Sequence, residues 1–540
     1  MCGIFALLNV SPKNIPNDII EYNFNFLKNR GPEYSILKKY KEPADFILGF
    51  HRLAINGLDD NSNQPLILDE NLYLICNGEI FNSRELIEKI NCKVETNSDC
   101  EIILHLYKKY GIEHTLNLLD GEFSFILVDT KKNKTFVARD PLGVRPLFYW
   151  KHSKLPLYGF ASEIKGLNLL ETSTAGNIVH VEPGNYYEFS ISGYDNKVWS
   201  LDSKVRYYTL GLSWNKNIEK NAMLEQIRTN LIKAVEKRVD NSERPIACLL
   251  SGGLDSSLVV SIASACLKRQ NKVLETYSIG LRDSTDYKYA KMVSDFCGTN
   301  HHHYEVDEET MINSIPNVIR AIESYDTTTV RASVGNYLIG KYISENSDAK
   351  VILNGDGSDE LCGGYLYFHK CPDSTEFDYE CRRLLRDIHK YDALRSDRCI
   401  SCHGLEPRTP FLDKNFVDSY LSYSEYIRNH NECKKPEKYL LREAFFGYLP
   451  KEVLNRKKEA FSDGVSSLTR SWFEIIQENK KHETYRQADS FNTPKTNEQI
   501  CYRNIFDVWY KNYSENIPYY WMPKYVNAND ASARTLDVYK

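Results

Sequence analysis

The sequence predicts two domains of different class, an α+β domain followed by an α/β domain built on a doubly wound parallel sheet. The chain has 540 residues, more than a single hydrophobic core usually supports. Short strand-like runs dominate its first part, whereas helices alternate with buried strands from about residue 222. The hydrophobic content of 42% and the charged content of 26% are those of an ordinary globular protein.

Strands and two capped helices make up the predicted first domain. Asn82 with Glu85, and Ser98 with Glu101, each precede an apolar helical run, and Gly111 follows the second run where a helix should end. Apolar runs between polar turns predict strands over 46–50, 72–76, 123–128 and 135–138. The predicted parts of the chain are a first domain (2–195), a polar linker region (196–221), a second domain (222–523) and a C-terminal tail (524–540).

Alternating helices and apolar strands predict the parallel sheet of the second domain. In order, the elements are helix 222–238, strand 245–250, helix 256–269, strand 276–281, helix 286–297, strand 302–306 and strand 350–353. The pattern over about 310–520 is mostly helical. Ligands of such sheets bind beyond the carboxyl ends of the strands, and two glycine-rich turns of this chain fall there.

Charge and cysteine usage narrow the class of protein. A net charge of −5 gives no electrostatic reason to expect nucleic acid or an anionic membrane as a partner. No stretch approaches the ~20 apolar residues of a membrane span, and the start lacks the pattern of a secretory signal. The 14 cysteines are scattered singly, which favours a reducing environment and a cytoplasmic location.

The second residue is a cysteine, which becomes the N-terminal residue if Met1 is removed. An N-terminal cysteine carries both a nucleophile and a base, because its α-amine, with a pKa near ~8, can accept the thiol proton. Many chains have a cysteine near the start without any catalytic role. The interpretation of Cys2 as a nucleophile therefore depends on the motifs further along the chain.

A glycine-rich turn lies between an apolar strand and a helix at residues 251–257, Ser-Gly-Gly-Leu-Asp-Ser-Ser. Its glycines let the backbone approach phosphate, and the N–H groups at the helix start bind anions. It lacks the ending of a Walker loop and is similar to the pyrophosphate-binding loop of enzymes that cleave ATP to AMP and pyrophosphate. Asp255 is expected to hold Mg²⁺, and a second turn, 354–360, adds Asp359 as a further ligand and Asp356 near the reacting nitrogen. The simpler alternatives are a glycine turn closing a βα unit and a solvated acidic loop.

Further motifs follow one another in a fixed order: Arg30-Gly31-Pro32, Asn77-Gly78-Glu79, Arg139-Asp140, Leu142-Gly143, Tyr325-Asp326, Arg331-Ala332-Ser333, Gly363-Gly364-Tyr365, Pro410-Phe411-Leu412-Asp413 and Phe461-Ser462-Asp463-Gly464. With these motifs the chain resembles the glutamine-dependent asparagine synthetases of the bacterial and plant type over nearly its whole length. The resemblance implies an N-terminal nucleophile hydrolase αββα sandwich, then an ATP-pyrophosphatase domain with a helical C-terminal part. It also implies a ligase that uses glutamine, aspartate, ATP and Mg²⁺, with β-aspartyl-AMP as intermediate, and it is compatible with a homodimer.

In the first domain, the resemblance makes Cys2 the nucleophile that forms a thioester with glutamine. Asn77, through its side-chain amide, and Gly78, through its backbone N–H, are expected to form the oxyanion hole. The remaining glutamine-binding residues are expected to be Arg52 on the α-carboxylate, Asp99 and Glu79 on the α-ammonium group, and Leu53, Ile55 and Asn56 along the pocket.

In the second domain, the resemblance assigns residues to ATP, Mg²⁺ and aspartate. Lys458 is expected to neutralise charge that develops on the phosphates. The other assignments are Leu249, Ile279, Asn354 and Gly355 around the nucleoside, Ser251, Gly252, Gly253, Asp255 and Ser256 on pyrophosphate, Asp255 and Asp359 on Mg²⁺, Thr328 and Arg331 near aspartate, and Asp392 with Arg395 as a supporting charged pair.

One loop departs from the family pattern. The family usually reads Ser-Gly-Glu-Gly-Ser-Asp-Glu where residues 354–360 of this chain read Asn-Gly-Asp-Gly-Ser-Asp-Glu. Asp356 is one methylene shorter than the glutamate, and errors near 1 Å can cost about a hundredfold in rate. We expect a compensating backbone shift, with Asn354 as part of it.

Other functions remain as alternatives at this stage. The same machinery could amidate a different carboxylate, such as a peptide or cell-wall acid, although the context of Arg331 favours free aspartate. A catalytically silent glutamine-binding protein is a second alternative. The presence of Cys2 disfavours a β-lactam-forming relative, and the 251–257 loop disfavours a hexosamine-forming synthase or a bare glutaminase.

Overall fold

The computed structural model describes residues 1–11, 13–170, 177–193, 197–215, 217–459, 461–466, 470–479, 485 and 491–536. They form two compact units: Met1–Thr209 with Ser401–Leu405, and Leu210–Ile400 with Glu406–Lys540. The predicted linker region contains ordered secondary structure, because a strand occupies Val198–Arg206 and a helix begins at Lys220. No helix in the described part of the chain combines the length and apolar character needed to cross a membrane.

Antiparallel strands build the first unit. They are β1 (Gly3–Leu8), β2 (Tyr34–Tyr40), β3 (Phe46–Arg52), β4 (Leu66–Leu68), β5 (Leu72–Ile80), β6 (Gly121–Asp129), β7 (Lys134–Arg139), β8 (Phe148–Lys151), β9 (Tyr158–Ala161), β10 (Asn177–His180), β11 (Asn185–Ser192) and β12 (Val198–Arg206). Within the described residues they form two six-stranded sheets, in the orders β10-β8-β9-β1-β3-β2 and β12-β11-β7-β6-β5-β4. The four predicted strands correspond to β3, β5, β6 and β7.

Alternating side chains of β6 explain how the sheets stack. Ile126 and Val128 belong to the apolar cluster between the two sheets, whereas Phe125 and Leu127 belong to a cluster that includes residues of the helices. Such alternation is expected of a strand that is covered on both faces.

Helices complete the layers of the first unit: α1 (Asn17–Asn25), α2 (Ser83–Ile90), α3 (Ile102–Tyr110) and α4 (Ile112–Leu118). Helix α1 covers the outer face of the β1–β3 sheet, where the Phe24 ring stacks on His51 with centroids 3.9 Å apart. Helices α2–α4 contribute to the cluster on the outer face of the other sheet. The αββα prediction is therefore confirmed.

The two predicted capping sites behave differently. Ser98 accepts a hydrogen bond from the N–H of Cys100 at 3.3 Å, as a capping residue does. Asn82 occupies the N-cap position of α2, but its amide donates to Leu118 O at 2.9 Å and accepts from Asp120 N at 3.0 Å. Asn82 therefore ties the helix start to a neighbouring loop rather than to the helix itself.

A five-stranded parallel sheet forms the centre of the second unit. Its strands are β13 (Ile246–Leu249), β14 (Glu275–Gly280), β15 (Asn300–Glu305), β16 (Val351–Leu353) and β17 (Glu406–Arg408), in the order β15-β14-β13-β16-β17. Every pair is parallel. The chain winds outward from β13 to β15 and then returns to β16 on the other side of β13, so the order reverses between β13 and β16. Crevices at such points bind ligands.

Helices surround this sheet and form the rest of the unit: α5 (Lys220–Asp240), α6 (Leu254–Arg269), α7 (Thr285–Cys297), α8 (Glu308–Ile322), α9 (Thr327–Asn346), α10 (Ser358–Cys362), α11 (Ser374–Asp387), α12 (Asp392–Ser401), α13 (Lys414–Ser422), α14 (Glu425–Arg428), α15 (Tyr439–Ala444), α16 (Lys451–Leu454), α17 (Phe461–Gly464), α18 (Trp472–Asn479) and α19 (Asn497–Tyr510). The prediction of a parallel α/β domain with a helical C-terminal part is confirmed.

Part of the predicted tail packs into this unit. Leu536 joins Trp521 and Phe377 in a buried apolar cluster, and Lys524 pairs with Glu376 at 3.1 Å. Residues 524–536 thus contribute to the second unit, and residues 537–540 lie outside the described residues.

Candidate active sites

Cys2 stands directly before β1, next to Asn77 on β5. Its backbone N–H donates to Asn77 Oδ1 at 3.1 Å, and its Sγ lies 3.7 Å from the carbonyl oxygen of Leu53. Asn77 is fully buried, and within the described residues its Nδ2 has no hydrogen-bond partner. A buried amide donor without a partner beside a thiol is suited to stabilise an oxyanion.

Arg30 fixes the backbone of the same cysteine. Its Nε donates to Cys2 O at 3.0 Å, and its Nη1 pairs with Glu163 at 2.6 Å. Both side chains are buried. The motif Arg30-Gly31-Pro32 is the sequence signal for this contact, although the motif alone does not indicate what Arg30 binds.

The predicted glutamine-binding residues lie on or near β3 and β5, the strands near which Cys2 makes its contacts. Arg52 donates to the carbonyl oxygens of Asp59, at 2.9 Å, and Gly57, which hold its guanidinium against the loop that follows β3. Asn56 Nδ2 donates to Glu79 Oε2 at 2.5 Å. The remaining members are also placed near β3 and β5: Leu53 and Ile55 are buried after β3, Gly78 follows Asn77 on β5, and Asp99 Oδ2 accepts from Ile80 N at 2.6 Å.

A second site lies at the carboxyl ends of β13 and β16. The cleft has a cavity volume of about 190 Å³. Predicted residues in its lining are Leu249, Ser251, Gly253, Asp255, Ser256, Ile279, Thr328, Asn354, Gly355, Asp356, Asp359, Asp392, Arg395 and Lys458. Gly252 and Arg331 are not part of the lining.

The two glycine-rich loops touch each other in this cleft. A Cβ on Gly355 would lie 2.7 Å from the backbone nitrogen of Ser256 and 2.9 Å from Cβ of Asp255. Ser251 and Ser256 hydroxyls lie 3.0 Å apart, which closes the first loop on itself. Glycine at 355 is therefore required for the close approach of the loops.

Two lysines join the carboxylates that the sequence assigns to Mg²⁺. Lys438 Nζ lies 2.6 Å from Asp255 and 2.6 Å from Asp359, and Lys458 Nζ lies 2.7 Å from Asp359. Burial alone would raise the pKa of Asp359, but the two ammonium groups outweigh it and hold that pKa well below its usual range. Both carboxylates therefore face Lys438 Nζ, and Asp359 is ionised.

Asp356 is held by one of its two oxygens. Arg395 lies 2.8 Å from Asp356 Oδ1 and 2.8 Å from Asp392, whereas Asp356 Oδ2 is buried without a hydrogen-bond partner among the described residues. Burial raises the pKa of Asp356, and the charge of Arg395 opposes that rise. Asn354 Oδ1 accepts a hydrogen bond from the N–H of Asp356 at 3.1 Å. The two residues that differ from the family pattern are therefore bound to each other, and Asn354 helps to set the backbone position of Asp356.

Arg331 is engaged by two acidic residues. Its guanidinium donates to Glu498 at 2.8 and 2.5 Å and to Asp530 at 2.7 and 2.8 Å. It is 3% exposed. Thr328, one turn earlier on α9, does line the cleft.

Comparison with known proteins identifies the family. The asparagine synthase family profile matches residues 226–379 and 370–515, and the glutamine amidotransferase domain profile matches residues 1–207. The glutamine-hydrolysing asparagine synthetase of Mesocricetus auratus is 42% identical over 577 residues, which cover 100% of this chain and 99% of that protein. The chain belongs to the glutamine-hydrolysing asparagine synthetase family. The prediction made from the motifs is confirmed.

Other relatives in this family are similarly close. The enzymes of Homo sapiens and Gallus gallus are 41% and 40% identical, again over 100% of this chain and 99% of each protein. Among solved structures, the glutamine phosphoribosylpyrophosphate amidotransferase of B. subtilis aligns with a TM-score of 0.31 and 18% identity, covering 56% of this chain and 81% of that one.

Several residues of the cleft lining, among them Lys438 and Trp521, are not assigned to the second site from the sequence. Lys438, which is 3% exposed, bridges Asp255 and Asp359 from a loop without any motif around it. Trp521 lines the cleft, and its N–H donates to Asp326 at 2.7 Å. The residues around Lys438 form no motif. An indirect signal is Gly364 in the motif Gly363-Gly364-Tyr365, because a Cβ at this position would overlap the Lys438 side chain.

Proposed function

We propose that this member of the family makes asparagine in two linked half-reactions, with Cys2 as the nucleophile of one and the β13–β16 cleft as the site of the other. Glutamine supplies ammonia, and aspartate with ATP gives β-aspartyl-AMP and pyrophosphate. The meeting of the 251–257 and 354–360 loops at the switch point of the parallel sheet is the observation that carries the proposal. One loop suits pyrophosphate, and the other brings the carboxylates.

In the glutaminase half, the thiolate of Cys2 attacks the side-chain amide carbon of glutamine after Met1 has been removed. Negative charge develops on the amide oxygen, where Asn77 Nδ2 and the N–H of Gly78 donate hydrogen bonds. The α-amine of Cys2, which has taken the thiol proton, returns it to the departing nitrogen and ammonia leaves; water then cleaves the thioester to give glutamate and the free thiol. The uncommitted Nδ2 of Asn77 beside Cys2 supports this assignment.

Recognition of glutamine is assigned to the surrounding loops. The planar fork of Arg52 suits the α-carboxylate, and its present acceptors are all oxygens. Glu79 and Asp99 are assigned to the α-ammonium group, because both are buried carboxylates near the same strand. Leu53, Ile55 and Asn56 are assigned to the pocket walls.

In the synthetase half, a β-carboxylate oxygen of aspartate attacks the α-phosphorus of ATP, and pyrophosphate leaves. Residues of the 251–257 loop are assigned to pyrophosphate, and Leu249, Ile279, Asn354 and Gly355 to the nucleoside. Lys458 is assigned to charge that develops on the leaving phosphates. Thr328 is assigned to aspartate; for Arg331 the same assignment requires that a substrate carboxylate replace Asp530.

The residues present fit Mg²⁺. Asp255 and Asp359 are two carboxylates that converge on one cation, Lys438 Nζ, and Mg²⁺ is commonly held by one or two carboxylates together with substrate phosphates. Bound there, Mg²⁺ would neutralise phosphate charge. Lys438 holds the two carboxylates together in this structure.

Ammonia then attacks the acyl carbon of β-aspartyl-AMP, AMP leaves, and one proton must be removed from the nitrogen. We assign that proton to Asp356, whose Oδ2 has no other partner within the described residues and whose carboxyl lines the cleft. Arg395 and Asn354 hold the shorter side chain and its backbone in place.

The test is pyrophosphate release from ATP, with and without aspartate, with glutamine or ammonia as donor, and with asparagine quantified alongside. Release that requires both Mg²⁺ and aspartate and matches asparagine one for one is the expected result. Glutamine hydrolysis without aspartate-dependent pyrophosphate would refute the choice of acceptor, and other carboxylates would then be tried. The homodimer and the cytoplasmic location stay predictions, to be checked by light scattering of the purified chain and by cell fractionation.

A further inference from the structure

The C-terminal segment Asp530–Arg534 contacts the cleft lining through Arg534 and the chain next to it through Ser532. Arg534 Nη2 donates to Glu459 at 2.5 Å and to the carbonyl oxygen of Asp463 at 2.9 Å. Ser532 Oγ donates to Asp463 Oδ1 at 3.0 Å. This segment therefore reaches the part of the chain that carries Lys458, although the sequence marked it only as a tail.

Glu459 gathers donors from separate parts of the second unit. Besides Arg534, it accepts from Thr285 Oγ1, at the start of α7, at 2.9 Å and from Arg456 Nη2 at 3.1 Å. Arg456 in turn pairs with Asp286 of α7 at 2.7 Å. Glu459 and Arg534 side chains are 10% and 11% exposed, so the pair is largely shielded from water.

Lys458 is the neighbour of Glu459 in the chain, and its Nζ lies 2.7 Å from Asp359 in the cleft. A lysine on a four-carbon stem finds one position only if its backbone is fixed. The donors on the Glu459 carboxylate, Thr285, Arg456 and Arg534, restrain that backbone, because Glu459 is the next residue in the chain.

We propose that Arg534 is a positioning residue for Lys458, so that the C-terminal segment is an integral part of the synthetase site. The inference rests on the proposed function, in which Lys458 meets charge that develops on the phosphates. Arg534 touches no reacting atom and acts through Glu459. Its loss should therefore reduce transition-state stabilisation and leave ground-state binding of ATP nearly unchanged.

The experiment compares full-length Arg534→Gln, Glu459→Gln and the double variant in aspartate-dependent pyrophosphate release. We expect each single change to lower kcat about tenfold to a hundredfold, the range for a reacting group misplaced by about 1 Å. The KM for ATP should stay within about twofold, and Arg534→Lys should recover part of kcat. The double variant should lose no more than the more impaired of the two single variants, since both changes break the Glu459–Arg534 contact.

Lys524→Gln is the matched control. Lys524 precedes the Asp530–Arg534 segment, and the change removes its ion pairs with Glu376 and Glu380, which lie outside the cleft, so kcat should stay at the wild-type value. Glutamine hydrolysis at Cys2 should be unchanged in every variant. If Arg534→Gln is insoluble, Glu459→Gln and Arg534→Lys make the same comparison.

A wild-type kcat in Arg534→Gln or Glu459→Gln, or losses that multiply in the double variant, would overturn the inference. An equal loss in Lys524→Gln would also overturn it, because docking of the whole segment would then be responsible. If the wild-type protein itself releases no pyrophosphate with aspartate, the proposed function fails and not the placement of Arg534.

Discussion

Replacing Gly364 by alanine should disable the synthetase half while leaving the glutaminase half intact. A Cβ at this position would overlap Lys438 Cε and Asp359 Oδ1, and it would lie 2.8 Å from Lys438 Nζ, inside the 3.4 Å at which ordinary contact begins. The end of the lysine side chain must then move by about 1 Å or more. In an exposed lysine such a movement would cost little, but Lys438 is 3% exposed and bound to two carboxylates at 2.6 Å.

The movement separates Asp255 from Asp359, which the proposed function places on Mg²⁺. Misplacement of catalytic groups by 1 Å costs about a hundredfold in rate. We therefore expect kcat for aspartate-dependent pyrophosphate release to fall by about a hundredfold. The overpacking itself should lower the free energy of unfolding by roughly 1–3 kcal/mol, which the protein can tolerate.

The assay measures pyrophosphate release at saturating aspartate and ATP, and glutamate formation from glutamine in the same preparation. Gly211→Ala is the control in the same unit, because the nearest atom to a Cβ there, Asp418 Oδ1, is 3.9 Å away. A Gly364→Ala variant with wild-type kcat would refute the reasoning, since Lys438 would then have no part in arranging the carboxylates. Equal loss of both activities would show a global folding defect instead.

Three further expectations concern other parts of the chain. Cys2→Ala should abolish asparagine formation from glutamine but leave synthesis from ammonia, and equal loss of both would reject the division into two sites. Asn77→Ala should lower kcat of glutamine hydrolysis by about 10²–10³-fold with little effect on ammonia-driven synthesis, and unchanged hydrolysis would exclude Asn77 from the oxyanion hole. Burial raises the pKa of Asp286 to about 6, against the opposing charge of Arg456, so the folded state binds more protons than the unfolded state between about pH 4 and pH 6. The free energy of unfolding should therefore fall as pH rises through that window, on the order of 3 kcal/mol in total, and Asp286→Asn should flatten the profile measured by urea unfolding; an unaltered slope would contradict the buried-carboxyl origin.

The sequence predicted a large share of the architecture for reasons that are local. The strands β13, β14 and β16 and the helices α5, α6 and α7 lie within two residues of their predicted bounds, because strand and helix periodicities differ strongly there. Ser98 caps the turn Asp99–Glu101 that leads into α3, although the Glu101 carboxylate accepts from the N–H groups of Glu95 and Thr96 rather than from Ser98. Asn82 does not cap α2, because its amide finds a partner 36 residues away. The residues next to Asn82 in the sequence give no indication that its side chain binds a backbone group far along the chain.

What the sequence determined by itself is the set of motifs and the chemistry of their residue types. From those it follows that Cys2 can be a nucleophile, that the 251–257 loop suits pyrophosphate and that the carboxylates of 354–360 stand at a strand end. These properties depend only on residues that are adjacent in the sequence, because each motif lies on one turn or at one strand boundary.

Only the tertiary structure decided which distant side chains complete the sites. Lys438 reaches Asp255 across 183 residues, and Arg534 reaches Glu459 across 75 residues. Packing of the surrounding helices brings these charges together, and burial makes each pair specific, because an ammonium or carboxylate group removed from water must find a partner. A lone lysine or arginine in the sequence looks the same whether it is solvated or enclosed, and so the Lys438 bridge between the carboxylates and the contact of Arg534 with Glu459 are visible only in the fold.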